Sequence, residues 1–234
     1  MFERVFNNPV SRKNRNYKMG GEQNLQYGSG FSGPASWRNF DASPTLLFER
    51  LPVIVRLYTK NEARFPEGVK YGDIIKGLPV APNSYKGVYC SHVLEHLSLN
   101  DFRVALSNTY KVLQPGGTLR LVLPDLEHSA RQYHSNSSND AAYSFMRETY
   151  LGLESRPHNL KAFVVSWLGN SQHLWMWDCK AITQELLNAG FIEVRRASLG
   201  DSLDIKFLEV EDKSRWDNCL GVECKKSNPY HFSQ

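Results

Sequence analysis

The segment Ser91-His92-Val93-Leu94-Glu95-His96 places two imidazoles and a carboxylate within six residues. Histidine titrates near neutrality, so such a cluster suits proton transfer to or from a reacting hydroxyl or amine. His96 is the first candidate for a general base, followed by Asp125, in a Leu-Pro-Asp turn, and His173. A second set of residues suits a ligand that carries a nucleoside. Gly28-Ser29-Gly30 is a turn that lets the backbone approach a ligand closely. Asp41 is placed to accept from ribose hydroxyls, Asp73 and Ile74 to read an adenine edge, and Ser91 and His92 to close the pocket.

These positions matter because each falls where a strand is expected to end. Apolar runs predict strands at residues 24–27, 37–40, 69–71, 85–90, 118–123, 191–196 and 219–225. Ser43 followed by Pro44 predicts a helix start, with Pro52 breaking that helix. Phe102, Leu106, Tyr110 and Leu113 recur at helical spacing, and Gln114-Pro115-Gly116-Gly117 stops that helix. Further helices are expected over 141–151 and 178–188, the second with Asp178 as N-cap and closed by Gly190. Asp178 is expected only to cap, and Trp175 and Trp177 to form wall or core.

Strands alternating with helices predict an α/β fold: a Rossmann-like, seven-stranded, mostly parallel sheet with helices on both faces. The last two strands, with no helix between them, predict an antiparallel terminal hairpin. In such a sheet ligands bind beyond the carboxyl ends of the strands, where the acids and histidines gather. Residues 127–172 lack regular patterning and are expected to form a helical lid inserted over the sheet. The segment 200–218 is charged and expected to be looped.

Composition limits the alternatives. The chain has 234 residues and a formal net charge of +4, and its first eighteen residues carry five basic side chains against Glu3. Residues 1–20 are therefore expected to be a basic arm, 21–226 one domain and 227–234 a tail. No alternation of basic and aromatic residues follows the arm, so nucleic acid is not an expected partner. Cys90, Cys179, Cys219 and Cys224 form no CxxC pair, which argues against a cysteine zinc site and fits a reducing compartment. No run approaches the ~20 apolar residues of a membrane span, and a cytoplasmic location is expected.

The order of motifs resembles class I S-adenosylmethionine-dependent methyltransferases of the type 11 kind. Their post-strand HVLEHL and VLKPGG turn are similar to His92–Leu97 and Val112–Gly117 here. Within that family, a subgroup associated with glycan biosynthesis is similar over Leu25–Gly30, Trp37–Pro44, Asp73–Pro79, Ser91–Leu97, His173–Asp178 and Gly200–Ser202. The resemblance implies S-adenosyl-L-methionine as cofactor and methyl transfer to a small molecule or sugar hydroxyl by direct displacement. Two departures stand out. Gln26 occupies a position where many relatives carry an acid, and only six residues separate Gly30 from Trp37, too few for a crossover helix.

Both departures leave open a domain that binds the cofactor without catalysis and serves as a regulator or partner. A nicotinamide oxidoreductase is disfavoured. Gly28, Gly30 and Gly33 spell GxGxxG, but Pro34 and Trp37 leave no room for the helix that fingerprint must open. No metal is expected either. HVLEH places its glutamate fourth, where HExxH needs it second, and no third ligand is assigned.

Overall fold

The computed structural model describes residues 23–50, 64–155 and 172–228. The basic arm, Pro52, part of the expected lid and most of the tail lie outside the described residues. Seven strands form one sheet: β1 (Asn24–Tyr27), β2 (Trp37–Asp41), β3 (Val69–Tyr71), β4 (Tyr85–Ser91), β5 (Leu113–Pro124), β6 (Phe191–Ala197) and β7 (Cys219–Lys226). Their spatial order is β3-β2-β1-β4-β5-β7-β6. The pairs β1–β2, β1–β4, β2–β3 and β4–β5 are parallel, and β7 runs antiparallel between β5 and β6. The expected fold class is thus observed. The terminal pair is antiparallel as expected, although residues 198–218 rather than a tight turn connect it.

Among the described residues the α-helices are α1 (Pro44–Glu49), α2 (Leu99–Val112), α3 (Leu126–Ser135), α4 (Ala141–Glu148) and α5 (Cys179–Asn188). Caps set their starts: Ser43 Oγ accepts from Thr45 N, Asp125 from Glu127 N and His128 N, and Asp178 from Ala181 N. Spacing sets their buried faces. Phe102 and Leu106 of α2, and Ile182 and Leu186 of α5, are i, i+4 pairs at 0–1% exposure. They pack on Leu25, Val88, Cys90, Leu119, Leu121, Val222 and Cys224 from the strands. Each such side chain contributes on the order of 1.5–3 kcal/mol on burial. Burial also pushes the Cys90 and Cys224 thiols well above their ordinary pKa, so both act as small apolar groups.

Alternation along the strands sends Tyr89 and Val122 to the opposite face, where they join Trp37, Phe207 and Val210 in a second cluster. Phe207 and Val210 belong to the segment expected to be a charged loop. That segment instead forms two 3₁₀ turns, Ile205–Glu209 and Lys213–Arg215, and Phe207 meets the Trp37 ring edge-on at 5.5 Å. The reason lies in the crossover from β1 to β2. Residues 28–36 contain no helix, so the sheet face beside β1 and β2 needs another cover, and the 3₁₀ segment supplies it. This crossover also shows that no helix opens from the three glycines, as a dinucleotide fingerprint requires.

A second difference concerns β5. It begins at Leu113 rather than Thr118, because Leu113 already pairs with Tyr85. The next strand partners are Gly87 and Thr118, so Gln114–Gly117 bulge out of the ladder with Gly116 at φ +75°. The Pro-Gly-Gly sequence ends α2 as expected, but as a bulge within the strand.

Candidate active site

The carboxyl ends of β1, β2, β3 and β4 surround a cavity of about 510 Å3. Of the residues expected to hold a cofactor, Gly28, Gly30, Asp41, Asp73, Ile74 and His92 all line it. Gly28 and Gly30 adopt φ of +66° and +53°, a region that favours glycine. Asp41 is 8% exposed, and its carboxylate accepts from Gly30 N at 2.8 Å and Ser43 N at 2.7 Å. Asp73 accepts from Ile75 N at 2.9 Å and fixes the turn after β3.

Ser29 and Ser91 open instead onto a neighbouring cavity of about 400 Å3. Their hydroxyls, and that of Tyr89 beside them, are buried and have no hydrogen-bond partner. Arg215 lines both cavities and donates from Nη1 to the Ser91 carbonyl at 3.1 Å. Nothing in the sequence around Arg215 marks it for this site. Its placement follows from topology: β7 is antiparallel, so Cys219 at its start pairs with Pro124 at the end of β5. The residues just before Cys219 therefore arrive at the carboxyl edge of the sheet.

Gln26 has a local task that its sequence position alone did not disclose. Its side-chain amide donates to Ser32 O at 3.0 Å and to Asn39 Oδ1 at 2.7 Å, and Asn39 in turn donates to Pro34 O and Trp37 O. The two side chains brace the helix-free crossover from below. An uncharged donor is what this loop of carbonyls requires.

His92 and His96 do not share a helical face. His92 has φ +54°, and only Leu94–His96 form a single 3₁₀ turn. Glu95 lies between the two rings at 0% exposure, 3.3 Å from His92 Nδ1 and 4.0 Å from His96 Nε2. Burial opposes a charge on His92. The Cys219 thiol, the Glu95 carboxylate and the Arg215 carbonyl together outweigh it and push the imidazole up to about 10. His92 is thus a cation at neutral pH that supports Glu95 and the Arg215 backbone.

His173 joins His96 through backbone bonds that the sequence does not advertise. Leu174 N and Trp175 N donate to Glu95 O, His173 N donates to Tyr150 O, and the His96 and His173 rings meet edge-on at 5.0 Å. Burial lowers the His173 pKa. Asp125 stands elsewhere: it does not line either cavity, and its carboxylate caps α3 and pairs with Arg196. Trp177 stacks on Phe102 at 4.2 Å in the core, and Trp175 is partly exposed.

Among solved structures, the fold is similar to that of phosphoethanolamine N-methyltransferase 2 of Haemonchus contortus, in complex with phosphomonomethylethanolamine and S-adenosylhomocysteine. The identity is 15% over 89% of this chain and 49% of that one, with a TM-score of 0.47. The chain thus spans about half the length of that protein. A SAM-dependent methyltransferase of Thermotoga maritima, described as a possible histamine N-methyltransferase, is 16% identical over 88% of this chain and 82% of that one, with a TM-score of 0.45. Comparison with curated protein sequences gives no match. Residues 49–121, from the end of α1 into β5, match the family model described as a methyltransferase domain.

Proposed function

We propose that this protein is an S-adenosylmethionine-dependent methyltransferase acting on a small molecule or saccharide acceptor. The observation that carries the reading is the convergence of Gly28, Gly30, Asp41, Asp73 and His92 on one cavity at the carboxyl ends of four strands. The match of residues 49–121 to a methyltransferase model supports it independently.

The residues present fit the cofactor. Asp41 and the Asp73-Ile74 turn suit the ribose and adenine, while Gly28 leaves backbone bare beside them. Ser29 and Ser91, with buried unpartnered hydroxyls, suit the polar amino-acid end, and Arg215 offers its carboxylate a cation. When bound, the cofactor would supply a methyl group on a sulfonium, with the neutral thioether as leaving group. The chain's task is then to align the acceptor and exclude water. His96 lines the cavity with the His173 ring edge-on beside it, so we assign these imidazoles to the acceptor side, His96 to handle the hydroxyl proton. Asp125 is left to cap α3.

Titration calorimetry with S-adenosylhomocysteine tests cofactor binding, and NAD serves as the control. Heat with the first and none with the second is expected; no heat with the sulfur ligand refutes the reading. Transfer of labelled methyl to a metabolite or glycan pool then separates an enzyme from a binding module, and His96→Ala is expected to abolish that transfer while binding persists.

A further inference from the structure

We propose that Glu95, His96 and His173 form a binding site for one divalent transition-metal cation at the acceptor side of the cavity. The ligand atoms of these three side chains all lie within 4.8 Å of one another. Zinc bonds to imidazole and carboxylate run ~2.0–2.2 Å, so donors around one ion stand up to about 4 Å apart. Small side-chain rotations close the remaining gap.

Two further observations point to a ligand. Glu95 is 0% exposed; its Oε1 is paired with His92 Nδ1 at 3.3 Å, but its Oε2 has no hydrogen-bond partner, and His173 Nδ1 is also buried without one. Buried polar atoms in native proteins are ordinarily partnered, and unmet ones call for an explanation such as an ion. The supporting shell is already in place. His96 Nδ1 lies 2.9 Å from the Gln172 carbonyl, which assigns the proton to Nδ1 and leaves the Nε2 lone pair facing Glu95 and His173. Backbone bonds from Leu174 and Trp175 to the Glu95 carbonyl hold the His173 segment in register.

The donor set specifies the ligand class. Two imidazoles with one carboxylate suit zinc, iron(II), cobalt(II) or manganese(II) and leave coordination positions open. His96 lines the cavity while Glu95 and His173 lie behind it, so the ion would sit in the cavity wall. The cation site stands apart from the methyl-transfer reading. Only its task rests on that reading: a cation held there would polarise an acceptor hydroxyl at its edge, the proton would pass to solvent water as the methyl group is transferred, and His96 would act as ligand in place of the base role given it above.

The full chain, stripped with a chelator and without cofactor, is titrated with zinc chloride by calorimetry. One equivalent is expected, and Glu95→Gln or His173→Gln is expected to weaken it by more than about tenfold, since even outer-shell changes cost that much. His134→Gln, on an exposed histidine of α3, is expected to bind as wild type does. Manganese added to the unmutated chain gives a second readout that needs no variant. The His96 and His173 ring proton signals should broaden at substoichiometric manganese. No stoichiometric zinc binding, wild-type affinity in both variants, or unbroadened His96 and His173 signals overturns the site. S-adenosylhomocysteine binding to the same metal-free protein is measured separately, so failure of the cation site and failure of the cofactor reading are distinguished.

Discussion

Gly30 donates its backbone N–H to Asp41 Oδ2 at 2.8 Å, so the glycine turn after β1 is tied directly to the carboxylate that ends β2. The other oxygen of Asp41 accepts from Ser43 N at 2.7 Å and fixes the entry to α1. One side chain thus organises two walls of the cavity. Asp41→Ala leaves both N–H groups without their charged acceptor, at about 1.5–3 kcal/mol each in the buried limit. The expected result is at least tenfold weaker S-adenosylhomocysteine binding and a melting temperature several degrees lower. Asp41→Asn retains one acceptor and should fall between the two. Calorimetry and thermal denaturation check this; wild-type affinity in Asp41→Ala refutes the proposed ribose role of Asp41.

Gly28 carries a double constraint. Its φ is +66°, and a Cβ added there meets Val93 Cγ2 at 1.9 Å. Gly28→Ala therefore combines backbone strain with a collision, and it is expected to lower the melting temperature and to weaken cofactor binding. Val93→Ala in the same chain removes the collision and leaves the strain. Partial recovery of the melting temperature in the double variant is the expected outcome; no recovery at all means that Val93 is not what the alanine meets.

The positions of the strands, and the cavity residues at their ends, were legible in the sequence because strand ends are local events. Asp41 and Asp73 follow short apolar runs, and Ser43-Pro44 marks its helix start without help from the rest of the chain. What escaped reading depends on contacts remote in sequence. His173 reaches His96 through backbone bonds to Glu95 and Tyr150, and Arg215 reaches the cavity because β7 starts beside the end of β5. Asp125 illustrates the converse. It ends a strand as a catalytic acid might, but the chain turns there into α3 and Arg196 takes up its second oxygen. Phe207 and Val210 were hidden by the charges around them; only the absence of a helix between β1 and β2 creates the face they cover.

Arg120 is the electrostatic centre of that second face. It is 0% exposed and pairs with Glu211, with Asp201 at 2.9 Å and with Glu223 at 2.9 Å, while its guanidinium lies 4.8 Å from the Trp216 ring centre. Removing one partner of a buried ion pair costs about 3–5 kcal/mol because the other charge remains. Arg120→Ala is accordingly expected to lower the melting temperature by roughly 10 °C, at about 2–4 °C per kcal/mol for a chain of this size. It should also weaken cofactor binding, because Glu211 and Trp216 flank Arg215. The combined variant Arg120→Met with Glu211→Gln leaves fewer charges unpaired and should melt above Arg120→Ala. A single variant that melts with wild type shows the network to be dispensable.

The same network makes acid sensitivity predictable in sign. Burial works against a charge on Asp201, but hydrogen bonds from Arg195 and the Ser198 backbone, and the Arg120 guanidinium, hold its carboxyl down at about 2. A carboxyl depressed in the folded state contributes stability that is fully present above its unfolded value, ~3.9, and is lost as pH falls through the folded value. The window is therefore pH 4 to 2. Asp201 is 36% exposed, so solvent screens the interaction and the contribution is smaller than the shift implies. Urea denaturation midpoints followed from pH 5 to pH 2 should fall more steeply for the unmutated chain than for Asp201→Asn, which has no proton to gain there. The gap between the two should be widest at pH 5 and should narrow in high salt, which screens the exposed Arg195 pair more than the buried Arg120 one. Parallel pH curves for the two proteins would show that Asp201 contributes nothing through its charge.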